Sequence, residues 1–171
     1  MINRIIKIVI SSLLFIYAIY QFYEGNIGNG IGLIFIIGFI VLLIFRNEHI
    51  MLAFWFLRKN QLPKAGKALS RIKHPDQLVK KQEAYYYYLT GLIESQLQGI
   101  GKAEKYFKKA LSLGLRMNQD KAVAKLNLAA IAMYKRRKRE ATMLLSEAKK
   151  LDKHNMLADQ IKQIQQQLKK V

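Results

Sequence analysis

The chain has 171 residues, a formal net charge of +18 and no cysteine, so disulfides, thiol chemistry and Cys-based metal sites are excluded. Its mean hydropathy of +0.01 is that of an ordinary globule only because two unlike pieces are averaged. The first 45 residues carry only Arg4, Lys7 and Glu24, whereas the remaining 126 carry 27 basic and 10 acidic side chains.

Residues 8–23 are apolar or aromatic apart from Ser11, Ser12 and Gln21, and residues 31–45 contain no polar side chain. With Lys7 snorkelling at one end and Ile27 extending the other, each run approaches the ~20 residues a helix needs to cross a bilayer. Residues 1–47 are therefore predicted to form a two-span transmembrane hairpin. Arg4 and Lys7 also suit a secretory signal, but no small-x-small cleavage site follows, and Tyr17, Tyr20, Phe22 and Tyr23 occupy that region. A retained anchor is expected. Arg4 and Lys7 precede the first run, Arg46, Arg58 and Lys59 follow the second, and residues 24–30 between them hold no basic residue. The positive-inside rule then puts both termini in the cytoplasm, with the bacterial inner or plasma membrane as the expected location.

Gly25, Asn26, Gly28, Asn29 and Gly30 supply turn chemistry between the two runs. Gly28, Gly30 and Gly32 lack the preceding strand that a phosphate-binding loop requires. Gly28 and Gly32 satisfy small-x-x-x-small, with Gly38 further along; they are read as turn and ordinary membrane glycines, a dimer face being the alternative. Next, residues 50–57 are apolar nearly all round, flanked by His49 and Arg58, so this helix is expected to be buried on every face. Phe54, Trp55 and Phe56 there suit an interfacial aromatic anchor or a packing face.

The rest of the chain carries a register of 38 residues: Ala65, Ala103 and Ala141; twelve positions earlier Ala53, Gly91 and Ala129; four positions later Leu69, Phe107 and Leu145. Small residues held in phase at such a period mark stacked helical hairpins, because only a small side chain lets two helix backbones approach closely in every repeat. Pro75 is expected to close the second helix of the first unit, Gly99 the first helix of the second and Gly114 its partner, with Asn118 capping the helix after it. A last helix is expected after Asn155, its apolar stripe formed by Leu157, Ile161, Ile164, Leu168 and Val171 and its polar face by Gln163, Gln165, Gln166 and Lys169. It reads as a terminal cap, with a short coiled coil as the alternative.

The middle unit, with Tyr87, Gly91, Ala103, Phe107 and Ala110 and with Gly99 and Gly101 in its turn, resembles the tetratricopeptide repeat family. The third unit keeps Leu128, Ala129, Ala141, Leu145 and Ala148. The first keeps Leu52, Ala53, Phe56, Ala65 and Leu69, but has Ile72 where the others have Ala110 and Ala148. The resemblance covers residues 48–153, at a period longer than the family's usual ~34, with the extra residues expected near 74–81 and 115–119. The expected fold is all-α: a transmembrane hairpin (1–47), a tetratricopeptide-like solenoid of three repeats (48–153) and a capping helix (154–171).

Catalytic constellations are not evident. His49, His74 and His154 are far apart and none stands at ligand spacing, while the acidic residues are scattered singly without paired carboxylates. No enzyme, metal or cofactor is predicted. The family resemblance implies instead that the first helices of successive hairpins line a concave groove. Carried across, this places Ile50, Phe54 and Leu57, then Tyr85, Tyr88, Leu92 and Ser95, then Val123, Leu126, Asn127, Ala130 and Tyr134 on it, facing a peptide or helix. Four tyrosines in a row, Tyr85 to Tyr88, surround a helix, so at least two must be structural. Some family members grip a partner's terminal carboxylate with Lys, Asn and Arg. Only Asn127 matches that clamp here, with Tyr88 and Leu92 where the neighbouring Lys and Asn are expected, so this mode is disfavoured.

A second surface is basic: Lys135, Arg136, Arg137, Lys138 and Arg139 in one run, and Lys102, Lys105, Lys108 and Lys109 in another. Such charge attracts anionic lipid or RNA phosphates, or is simply a solvated face with a positive-inside bias. The predicted function is a membrane-anchored cytoplasmic scaffold or adaptor that binds a protein partner, itself membrane-associated, through the groove. The alternative is docking to RNA, ribosomes or anionic lipids through the basic faces.

Overall fold

The computed structural model describes residues 2–45 and 47–169, with side chains for residues 6, 8–41 and 47–169. Arg46 and Val171, and the side chains of Arg4 and Lys7, which entered the predicted orientation and terminal stripe, lie outside the described residues. Among the described residues every regular element is helical, so the fold is all-α. The chain divides into two compact units, Met1–Met51 and Leu52–Val171, rather than at 47/48.

In the first unit α1 (Ile2–Tyr23) and α2 (Ile27–Phe45) pack against each other. Their connection is only residues 24–26, with Gly25 at φ 81° carrying the reversal. Gly28, Asn29 and Gly30, expected in the turn, already belong to α2. Gly30 is buried, and a Cβ there would come within 2.7 Å of the Phe22 ring; this glycine is where the two helices close. Gly28, Gly32 and Gly38 have open space at the same position and take no part in that contact. Ala18 and Gln21 are also buried, and Gln21 Nε2 donates to Tyr17 Oη at 2.8 Å. Most other large apolar side chains are exposed, among them Leu13, Ile16 and Ile19 on α1 and Ile34, Phe35 and Phe39 on α2. Among the described residues no helix is long and apolar enough to cross a membrane, so the two predicted spans gain no support here.

Helix α3 (Glu48–Arg58) begins before the division and ends in the second unit, which then holds α4 (Leu62–Ser70), a 3₁₀ turn (Pro75–Gln77), α5 (Lys80–Gln96), α6 (Ile100–Leu113), α7 (Asn118–Tyr134), α8 (Lys138–Leu151) and α9 (Ala158–Leu168). Helix α5 pairs with α6 and α7 with α8; α6 packs on α7, α4 on α5, and α9 on α8 and α7. Every residue of the 38-residue register is buried: Ala53, Gly91 and Ala129, Ala65, Ala103 and Ala141, Leu69, Phe107 and Leu145. Ile72, Ala110 and Ala148 are buried as well. Gly91 packs tightly on its neighbour: a Cβ there would stand 3.0 Å from the Phe107 ring, which would have to give by a few tenths of an ångström.

The backbone repeats with the same period. Asn60, Gln98 and Arg136 take left-handed φ values of 56°, 60° and 58°. In each case the next amide bonds back five residues: Gln61 N to Phe56 O at 2.9 Å, Gly99 N to Glu94 O at 2.8 Å and Arg137 N to Ala132 O at 2.8 Å. Each first helix thus ends in a Schellman-type turn that satisfies a terminal carbonyl. None of the three left-handed residues is glycine, which is why residue type did not reveal them.

Several expected boundaries move. Gly99 has φ −75° and follows the left-handed residue rather than being it; a Cβ there would displace the end of the flexible Glu94 side chain. Pro75 opens the 3₁₀ turn instead of closing α4, which ends at Ser70. Asn118 is the first residue of α7 and makes no side-chain cap bond. Gly114, at φ 89°, does end α6. In α3 only Ala53 is buried, while Met51, Leu52, Phe54 and Trp55 are exposed; the helix is not covered on every face by the described chain. Along the last stripe Leu157, Ile161 and Leu168 are buried, and Gln163, Gln165, Gln166 and Lys169 face outward.

Candidate functional site

The stacking creates two surfaces. The first lies along α5 and α7. Tyr85 Oη donates to Asp120 Oδ2 at 2.7 Å and ties the two helices together. Burial, reinforced by that bond to Asp120, pushes the Tyr85 hydroxyl up to about 12, so it stays a neutral donor across the physiological range. Ser95 Oγ donates to Leu92 O, and Asn127 Nδ2 donates to Val123 O at 2.8 Å. The Asn127 amide is thus engaged on its own helix, which further weakens the carboxylate-clamp reading.

The predicted groove residues fall into three groups. Tyr88 and Leu126 are core: Tyr88 is 4% exposed with its ring edge-on to Phe107, and Leu126 is 5% exposed. Both side chains are covered by the fold and leave no surface for a ligand, Tyr88 being turned toward α6, the partner helix of its own hairpin. Ile50, Leu57, Tyr85, Leu92, Ser95, Val123, Asn127 and Ala130 are half-buried, and Phe54 and Tyr134 are exposed. Ile50 belongs to the first unit and is not assigned to the α5–α7 surface. Of the four tyrosines, Tyr88 packs on Phe107, Tyr87 stacks on Tyr106 with centroids 6.0 Å apart, and Tyr85 holds Asp120.

The second surface is electrostatic, and its centre is acidic. Glu104, 9% exposed on α6, accepts hydrogen bonds from Lys108 Nζ at 2.7 Å, Lys135 Nζ at 2.6 Å and Arg137 Nη2 at 2.8 Å. Burial alone would raise its carboxyl, but the bonds from Lys108, Lys135 and Arg137 prevail and hold it down to about 2. Glu140 adds a second carboxylate, 2.9 Å from Arg137 Nη1 and 3.8 Å from Lys108 Nζ. Lys109 lies 4.0 Å from Glu83. Lys108, Lys109, Lys135 and Arg137 therefore each sit against a carboxylate within the fold. Lys102, Lys105, Arg136, Lys138 and Arg139 make no ion pair among the described residues and define the free basic surface. Residue counting missed Glu104; its signal was a lone carboxylate among the lysines of α6.

Among the described residues no group of three or more His, Cys, Asp and Glu side chains is gathered to hold a metal ion. Comparison of the chain with known protein families, with curated proteins and with solved structures returns no match. The class defined on physical grounds is an all-α chain in which stacked helical hairpins follow an apolar two-helix hairpin.

Proposed function

We propose that this chain is a membrane-anchored cytoplasmic scaffold, in which residues 1–47 form the anchor and a tetratricopeptide-like stack receives an extended or helical segment of a protein partner along α5 and α7. The observation that carries the reading is the triple recurrence of one turn, at Asn60, Gln98 and Arg136, in phase with the buried small residues. A repeat at that level keeps successive first helices on one side, and such stacks use that side for binding. Half-buried Tyr85, Leu92, Val123 and Ala130 supply apolar and aromatic contact there, with Ser95 and Asn127 polar between them. The anchor is supported by the uncharged run 31–45 and by the large apolar side chains left uncovered around α1 and α2, which water solvates poorly.

Leu92→Asp combined with Val123→Asp tests the groove. In full-length chain crosslinked in membranes and purified in neutral detergent, loss of a co-purifying protein with unchanged circular dichroism is expected; undiminished recovery rejects the groove. Alkaline carbonate extraction tests the anchor, since release of the chain into the supernatant rejects it. Docking to RNA or ribosomes is the second reading, favoured by the cations free of partners. Arg136→Glu with Lys138→Glu and Arg139→Glu should then abolish co-sedimentation with ribosomes, and association that is absent or indifferent to salt rejects this reading.

A further inference from the structure

We propose that the outward face of α3 docks on an anionic bilayer surface. Leu52, Phe54 and Trp55 are 42%, 42% and 49% exposed, whereas Ala53 among them is fully buried. At about 3.6 residues per turn Leu52, Trp55 and Lys59 fall on one row and Phe54 and Arg58 on the adjoining one, all on the side away from Ala53. Lys59 stands just past the helix, but its amide still donates to Trp55 O at 3.2 Å, and its Nζ lies 3.9 Å over the Trp55 ring. Apolar surface and cations therefore share one patch.

Charge selects the occupant. Residues 49–75 hold six basic side chains, Arg58, Lys59, Lys64, Lys67, Arg71 and Lys73, and no acidic one; the acidic residues of the second unit all lie from Asp76 onward. Lys64 and Lys67 on α4 and Arg71 at its end are exposed. A leaflet of anionic lipid offers a continuous array of phosphates that needs no register with these cations, and each basic residue near it favours docking about fivefold. Tryptophan and phenylalanine settle at the level of the headgroups, from which long cationic side chains snorkel to the phosphates. Lys59 over Trp55 supplies ring and cation at one place. With 11 residues α3 is too short to cross a bilayer and suits the plane of its interface. Only residues 46 and 47 separate it from α2 along the chain, so an anchor formed by residues 1–47 delivers it to the leaflet. The inference rests on the anchor reading for that proximity, and on nothing in the α5–α7 groove.

Trp55 is the only tryptophan of the chain, so its fluorescence reports on α3 alone. Full-length chain is reconstituted at low density into vesicles of phosphatidylcholine, with or without about one third phosphatidylglycerol, whose acyl chains are brominated near the headgroup or near the methyl end. Quenching should be stronger with the shallow bromines, and about threefold or more stronger in the anionic vesicles than in the neutral ones. Arg58→Gln with Lys64→Gln should remove about half or more of that anionic excess. The control Lys149→Gln with Lys150→Gln, exposed on α8 and equal in charge removed, should leave it unchanged. Trp55 emission that stays unquenched overturns the proposal, whether red and open to acrylamide, as on a solvated face, or blue and closed to it, as under a second copy or this chain's own helices. Equal quenching in the two lipids, or equal losses in the two double variants, overturns it as well. Should a variant lose helical content, the unsubstituted chain's quenching in the four vesicle types decides by itself. Carbonate extraction of the same vesicles scores the anchor separately: chain retained with Trp55 unquenched rejects the docking alone, and chain released with Trp55 quenched beforehand rejects the anchor alone.

Discussion

Glu104 receives cations from two different helical segments, Lys108 on its own helix and Lys135 and Arg137 from the turn between α7 and α8. Its carboxyl titrates at about 2 when folded against an ordinary 4.5, so the stabilisation is complete above the unfolded value and is lost as pH falls from about 4.5 through about 2. The three cations are partly solvated, which reduces the gain well below the full shift; Glu104→Gln should cost about 1–2 kcal/mol at pH 7. In urea titrations that deficit should shrink steadily below pH 4.5, and a deficit independent of pH would reject the hub. Glycine tells a parallel story about close packing. Gly91→Ala gains up to about 1 kcal/mol of helix propensity but presses a methyl 3.0 Å from the fully buried Phe107 ring, where overpacking costs about 1–3 kcal/mol. A net loss of about 1 kcal/mol is expected. Gly66→Ala, inside α4 with open space at Cβ, should instead stabilise by up to about 1 kcal/mol in the same measurement.

At the scale of elements, the hairpin turns store a small strain. Left-handed backbone costs a non-glycine residue about 1–2 kcal/mol, and Gln98 bears it with a largely solvated side chain. Gln98→Gly should therefore raise the unfolding midpoint, by about 1 kcal/mol in free energy, without altering the hairpin. The last helix is held differently. Asp152, 4% exposed at the end of α8, accepts the amides of Met156 at 3.1 Å and Leu157 at 2.7 Å and so fixes the bend into α9. Removing a buried acceptor leaves those donors unsatisfied, so Asp152→Ala should cost about 1–3 kcal/mol. Hydrogen exchange should then speed up in α9 while α5 and α6 keep their protection; uniform loss would mean that α9 is integral to one cooperative unit.

Across the whole molecule, a net charge of +18 makes the chain repel itself, although among the described residues of the second unit five cations are held against glutamates. Repulsions among the many unpaired cations outnumber those local attractions, and both are screened over about 10 Å at 0.1 M salt. Raising salt from about 0.02 to 0.3 M should therefore increase the thermal midpoint; a decrease would mean that the glutamate pairs dominate. The all-α class, the buried small residues and the pairing of α5 with α6 and of α7 with α8 were legible from one chain because helix packing imposes a period that sequence spacing reports directly. Spacing also located the residues that lie half-buried on α5 and α7. It did not distinguish Tyr88 and Leu126 from their neighbours, since one helical face grades into the next and only the position of Phe107 and the adjoining helices decides which side is covered. Nor did it divide the basic run into Lys135 and Arg137, turned toward Glu104, and Arg136, Lys138 and Arg139, left free. The sequence by itself determined the period, the composition boundary and the supply of charge. Only the tertiary structure decided which cations sit against a carboxylate, because those pairings join residues about 30 positions apart that spacing along a chain does not encode.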